Sequence, residues 1–348
     1  MKNVKLPYLL FFLIFIAIFT NCNKEEITNP IPTLACDQGL ARYATDATND
    51  NWEIDCSNCL IDCYEIYSDV IRYDYYYPVF NPKNNNEIAY LRFDNTTWGL
   101  AHDLWIFNFC TGEQKKIADN AAHSLSWSDK GWLLFGGVNQ QLWKVKTNGD
   151  SLTQLTFSGD YNRFPKWNPS GDKYLYNTQT GSTGFYIIAD EEGVPLDTLT
   201  EMASSGSYSW IDEQRIGFLI GTPSSTIILK YLDLTNNSVK TLLEMEHGMY
   251  NDSIVKSTAG FLAENSIVWC AKRVIGKTDI NTGATASLKS GYANRQYQSL
   301  DVAGDQTKFL FSRQNINPVV DCKFDSEHRI YIMDTDGSNE QRIDIPEL

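Results

Sequence analysis

The 348-residue chain has little of what most enzymes use for chemistry. It holds four histidines, and it lacks a Gly-x-Ser-x-Gly elbow, a His-Glu-x-x-His pair, a P-loop and a dinucleotide fingerprint. Basic residues are also short: 29 Lys and Arg stand against 43 Asp and Glu, a net charge of −14. That balance argues against nucleic acid, and against an anionic lipid surface as the main partner. No helical period is visible between residues 75 and 345, which excludes a helical bundle and an alternating α/β fold. Long apolar runs are confined to one, Leu6 to Phe19, interrupted at Pro7 and Tyr8. At 14 residues it is shorter than the roughly 20 that a spanning helix needs.

What is there begins with that run. Lys2 and Lys5 precede it, and Phe19-Thr20-Asn21-Cys22 follows, so residues 1–21 read as a cleaved signal peptide. The tetrapeptide resembles a lipobox, with Asn21 where a smaller residue is usual. The resemblance implies that Cys22 is the mature N-terminus, acylated and held in a bilayer. One acyl chain binds a membrane reversibly, whereas two or more anchor stably. Asn23-Lys24-Glu25-Glu26 then resembles a short acidic signal for the outer face of an outer membrane, and residues 22–35, with Pro30 and Pro32, read as an extended tether. Loss of residues 1–21 leaves 27 basic and 43 acidic residues, a balance of −16.

The rest of the chain repeats. Phe80, Trp127, Trp167, Trp210, Phe261 and Leu300 are spaced by 47, 40, 43, 51 and 39 residues. Most are followed by a polar turn, such as Asn81-Pro82-Lys83-Asn84, Ser128-Asp129-Lys130-Gly131 or Asn168-Pro169-Ser170-Gly171-Asp172. A short apolar strand comes next: Ile88–Leu91, Trp132–Phe135, Tyr174–Tyr176, Ile216–Leu219, Ile267–Cys270 and Phe309–Phe311. A second strand, a second turn and an edge strand complete each unit. Short β-branched and aromatic runs with turns every 8–12 residues predict an all-β protein. A period of about 44 residues predicts a six-bladed β-propeller of four-stranded antiparallel blades over 75–348, because radial packing buries both faces of every sheet.

Two stretches carry a family resemblance: Phe164-Pro165-Lys166-Trp167-Asn168-Pro169-Ser170-Gly171-Asp172 and Arg329-Ile330-Tyr331-Ile332-Met333-Asp334-Thr335-Asp336-Gly337-Ser338. They resemble the TolB-like (WD40-like, PD40) propeller repeat over residues 75–345. The resemblance implies the fold and leaves the activity open, since such propellers occur in binding proteins, envelope complexes, peptidases and polysaccharide lyases. The three residues after 345 leave no room for a peptidase domain, so a peptidase is not expected.

Between tether and propeller, residues 36–74 form a cysteine-rich lead-in with Cys36, Cys56, Cys59 and Cys63. Outside the cytoplasm such cysteines usually pair, here in any of three connectivities, to make a stapled cap. Four thiolates could instead hold zinc, but their spacing suits a zinc ribbon poorly. Haem attachment fails because Leu60, not His, follows Cys59. Cys110 and Cys322 fall in the first and last units, where a staple across the ring closure is a candidate, and Cys270 reads as a buried thiol.

Tryptophans in phase with the repeat read as packing residues. Trp98, Tyr161, Tyr208 and Tyr297, out of phase, are the candidates for ligand contact. Asp334-Thr335-Asp336-Gly337 resembles the start of a calcium loop but lacks its later acidic ligands. No catalytic residue, metal or cofactor is assigned. The expectation is a lipid-anchored, non-enzymatic binding or scaffold module at the outer membrane, engaging an envelope protein or glycan. The alternatives are a lyase-like polysaccharide enzyme, with metal on His102, His123 or His247, and a subunit of an envelope complex.

Overall fold

The computed structural model describes residues 43–47, 64–65, 73–94, 101–181, 183–202, 207–221, 226–246, 257–262, 265–271, 274–290, 295–319 and 323–347. Every regular element among them is a strand except a single 3-10 position at Ala47. Two short strands come first, β1 (Ala44–Asp46) and β2 (Tyr64–Glu65). A long meander follows: β3 (Tyr73–Asn81), β4 (Asn84–Asp94), β5 (His102–Asn108), β6 (Gln114–Trp127), β7 (Trp132–Gly137), β8 (Leu142–Lys146) and β9 (Thr153–Gln154). Three four-stranded antiparallel sheets come next. They are β10 (Tyr161–Trp167) to β13 (Pro195–Leu199) through β11 (Lys173–Thr180) and β12 (Thr183–Asp190), then β14 (Ser207–Trp210), β15 (Arg215–Gly221), β16 (Thr226–Asp233) and β17 (Ser238–Glu246), then β18 (Ser257–Leu262), β19 (Ser266–Ala271), β20 (Val274–Asp279) and β21 (Thr285–Ser290). The last sheet holds β22 (Arg295–Val302), β23 (Lys308–Val319), β24 (Lys323–Asp334) and β25 (Gln341–Ile343).

The repeat phase read from the sequence is the phase of the strands. Phe80, Trp127, Trp167, Trp210, Phe261 and Leu300 lie at or near the ends of β3, β6, β10, β14, β18 and β22, and each pairs with the strand that follows. Among those whose side chains are described, each is buried. The arrangement is a propeller of small antiparallel sheets. These six inner strands stand side by side in chain order, and β22 returns to lie beside β3.

One expectation is corrected. The described strands form five sheets, not six separate four-stranded ones: three of four strands, one of six and one of seven. The seven-stranded sheet exists because β6 is 14 residues long. Its first half pairs with β5 and its second half with β7, meeting at Ala121, which faces His102 on one side and Gly137 on the other. Asn120 (φ 60°) and Ser124 (φ 48°) take the left-handed region at the bulges where the register of β6 shifts against β5 and then β7, and pairing resumes on either side. The last sheet gains two strands from the region ahead of the repeats. β1 pairs with β25, and β2 lies parallel to the start of β24.

Six apolar clusters lie between neighbouring groups of strands. One closes the ring, packing Tyr75, Phe80, Tyr90 and Phe107 from the first sheet on Leu310, Ile330 and Ile332 from the last. Polar contacts cross the same seam. Phe80 N donates to Asp301 Oδ2 at 2.8 Å, His328 N to Asp74 Oδ1 at 2.9 Å, and Arg329 Nη1 to the Tyr73 carbonyl at 2.6 Å.

At the opposite edge of the last sheet, the fully buried Arg313 guanidinium meets Glu340 Oε1 at 2.6 Å and lies 3.7 Å from the Tyr331 ring centre. Glu340 Oε2 also takes Lys289 of β21 at 2.7 Å, and the Glu340 carbonyl accepts Ala47 N. One carboxylate thus joins two sheets at the place where the N-terminal strand arrives. Removing one partner of a buried ion pair typically costs about 3–5 kcal/mol. Glu340→Ala is expected to lower unfolding free energy by about that amount in urea titration, and Glu340→Gln by less.

Candidate functional site

The two ends of the sheets are built differently. At one end sit the tight turns that join first to second and third to fourth strands. Their carboxylates and amides are turned back on their own backbone: Asn168 Oδ1 accepts Asp172 N and Lys173 N, and Asp279 Oδ1 accepts Asn281 N and Thr282 N. Gly337 (φ +88°) shows how close this end is packed, since a Cβ there would stand 2.4 Å from the Leu288 carbonyl. The Asp334-Thr335-Asp336-Gly337 turn belongs here. Its carboxylates already serve Lys308, Ser338 and Asn339, so it reads as a capped turn, not a calcium loop.

The other end, where second strands pass to third strands and each sheet passes to the next, carries aromatic and amide side chains. Near the ring seam, the Tyr76 ring lies 5.1 Å from His102 and 4.4 Å from His328, and its hydroxyl shares a 3.0 Å hydrogen bond with His328 Nδ1. Phe93 packs on the other side of His102, at 5.3 Å. Two of the four histidines therefore come together across the closure, and aromatic rings surround them. His123, on β6, faces Phe164 at 6.0 Å. His247 lies outside the described residues. Among the described residues no three His, Cys, Asp or Glu side chains cluster in a way that could hold a metal ion.

Across the circle of inner strands, Lys166 of β10 and Asp301 of β22 interact electrostatically. Lys166 Nζ donates to the Leu125 carbonyl at 3.3 Å. Burial pushes the Lys166 ammonium below the usual lysine range, against the pull of the Asp301 carboxylate. Burial likewise raises Asp301, against the opposing effects of Lys166 and of the Phe80 and Val302 N–H groups.

Of the aromatic ligand candidates, Tyr161 is exposed at 48%, at the start of β10. Tyr208 and Tyr297 are corrected. They are buried at 4% and 1%, with Tyr208 donating to the Phe164 carbonyl at 2.6 Å. An out-of-phase aromatic in an inner strand still faces a neighbouring sheet, because both faces of every sheet are covered. Trp98 lies outside the described residues. The sequence reading overlooked Phe157, which is 79% exposed in the loop before β10. Its signal was an aromatic standing alone between turn-forming residues, in Thr156-Phe157-Ser158-Gly159-Asp160.

Cys22, Cys36, Cys56, Cys59, Cys63 and Cys322 lie outside the described residues. Cys270 is buried, as expected. Cys110 is disulfide-bonded, and its partner lies outside the described residues.

No protein-family model matches the sequence, and no curated protein matches it. Solved structures do share its shape. A protein described as a TolB from Agrobacterium tumefaciens superposes with a TM-score of 0.53 at 12% identity, over 79% of this chain and 89% of that one. TolB from Acinetobacter baumannii gives 0.47 at 13% identity, over 78% of this chain, which spans only 54% of that protein, about half its length. Oligogalacturonate lyase from Vibrio parahaemolyticus gives 0.49 at 12%, over 80% and 79%. Identity this low speaks to fold alone.

The Lys166–Asp301 pair has a measurable signature. A carboxyl raised by folding contributes stability below its unfolded value of 3.8, and that contribution is lost as pH rises through the folded value. The stability of the native chain minus that of Asp301→Asn is therefore expected to fall as pH rises from 3.8, read from urea midpoints across the acid range. In the repeat phase, the closed circle of inner strands and the superposition on the Agrobacterium protein, this chain has the fold of a TolB-like β-propeller.

Proposed function

We propose that the chain is a lipid-anchored, extracytoplasmic propeller that acts as a non-enzymatic binding or scaffold module for a protein or glycan of the cell envelope. The observation that carries this reading is the contrast between the two sheet ends: one closed on itself by capped turns, the other presenting aromatic and amide side chains on a rigid ring. In this reading a signal peptide is removed and an acylated Cys22 holds the ring at the outer membrane, which the leader and the Phe19–Cys22 tetrapeptide support. The same reading counts six modules. The two halves of β6 serve as the outer strand of one blade and the inner strand of the next, which is supported by the apolar cluster packed between them, with Leu91 and Ile106 on one side and Leu133 and Phe135 on the other. A polysaccharide-active enzyme remains the competing reading, and the surroundings of His102 and His123 do not favour it.

Three measurements test the proposal. A photo-crosslinking residue at position 180, on the aromatic end, is expected to trap a reproducible envelope protein or glycan in intact cells, and one at position 149, among the capped turns, is not. With Cys22→Ser the chain is expected to move from the membrane to the soluble fraction; if it stays membrane-bound, the anchor is wrong. Metal analysis of the purified chain is expected to find less than one equivalent of Mn, Ca or Zn, and a stoichiometric ion would turn the assignment toward the enzyme.

A further inference from the structure

The loop between β9 and β10 combines two features that seldom meet, full exposure of an aromatic side chain and a fixed backbone. Phe157 is 79% exposed and Tyr161 48%, four residues apart. The backbone between them is held from below by two buried amides. Gln141 Nε2 donates to the Ser158 carbonyl at 2.9 Å and to the Asp160 carbonyl at 3.0 Å. Asn162 Nδ2 donates to Gln141 Oε1 at 3.2 Å and to Ser158 Oγ at 3.1 Å. Thr156 Oγ1 accepts Leu142 N at 2.9 Å, which pins the loop's first residue to β8. Asn162 is 2% exposed and Gln141 7%, so this scaffold is part of the fold. The rings are presented on a preorganised support, and a ligand does not have to order the loop.

The surroundings of the two rings are polar, with one carboxylate and one guanidinium of opposite sign, each already hydrogen-bonded. The Asp160 carboxylate accepts the Thr180 hydroxyl at 2.8 Å, and the Arg163 guanidinium is occupied by Asn177 and Gln179. Asn139, on the neighbouring turn, accepts Trp143 Nε1 at 3.2 Å. A stable protein interface buries about 800 Å² per partner around an apolar centre, which two rings with an amide rim do not supply. A neutral sugar fits better. Its C–H faces pack on aromatic rings, its hydroxyls pair with amides and hydroxyls, and no ion has to be desolvated. A chain of charge −14 repels an acidic polysaccharide or an anionic bilayer but not a neutral glycan.

We propose that the Thr156–Tyr161 loop is a carbohydrate-binding surface for an uncharged glycan, with Phe157 and Tyr161 as the stacking platforms. This rests on the binding-module reading and gives it a location and a ligand class. The test is calorimetric titration of the purified chain with cellohexaose, mannohexaose and maltohexaose, with polygalacturonate and anionic vesicles as charged controls. At least one neutral hexasaccharide is expected to bind saturably. Phe157→Ala and Tyr161→Ala are each expected to weaken that binding at least tenfold, with circular dichroism unchanged. Leu196→Ala, exposed on the outer strand β13, is expected to leave it as it was. The proposal is overturned if no neutral sugar binds, if both loop variants bind like the parent chain, or if only polygalacturonate or vesicles bind. It is also overturned if position 180 crosslinks to a protein while sugars do not bind, and in that case the broader binding-module reading still stands.

Discussion

Every sheet in this protein is apolar on both faces, and that one constraint dictates the rest. A single antiparallel sheet commonly leaves one face to water. Here strand after strand buries alternate residues on both sides: Ala89 faces one cluster while Ile88 and Tyr90 face another, and Leu134 is separated in the same way from Leu133 and Phe135. Each sheet needs a neighbour on either side, and a row of sheets satisfies that only by closing on itself. The seam between the first and last sheets accordingly has a full cluster of its own, together with backbone and carboxylate hydrogen bonds across it.

Much of the fold was legible because the constraint repeats. One bulky residue at the end of each inner strand, followed by a turn with Asn, Asp or Gly, fixes the strand phase, and Trp127, Trp167 and Trp210 are buried where that phase puts them. Sheet boundaries were less legible. Nothing in the residues of β6 announces that Asn120 and Ser124 would bulge the strand and let its pairing resume beyond them, since both are ordinary turn formers whose left-handed conformation could equally have ended it. Hydrogen bonding to both neighbours decided that, and it is a tertiary property.

The site was harder to read. Being out of phase with the repeat correctly marked Tyr161 as exposed, and failed for Tyr208 and Tyr297, because inner strands bury residues of either parity. The grouping of Tyr76 with His102 and His328 brings together positions 252 residues apart and has no local signature. Phe157 lay in plain view in the sequence. Its importance comes from Gln141 and Asn162 beneath it, two amides whose burial no composition or spacing argument foretells.

The pairing of β1 with β25 has a consequence for how the molecule comes into being. The outermost strand of the final sheet is supplied by residues 44–46, so its partner β25 lies at the far end of the described residues. Until β25 has emerged, β1 has no edge to join, and the contacts that seal the circle are among the most distant in sequence that the protein forms. Such contacts slow folding and leave strand edges uncovered in the interval. The last sheet is complete only when residues 44–46 and 341–343 are both present, so the architecture locks late and as a whole.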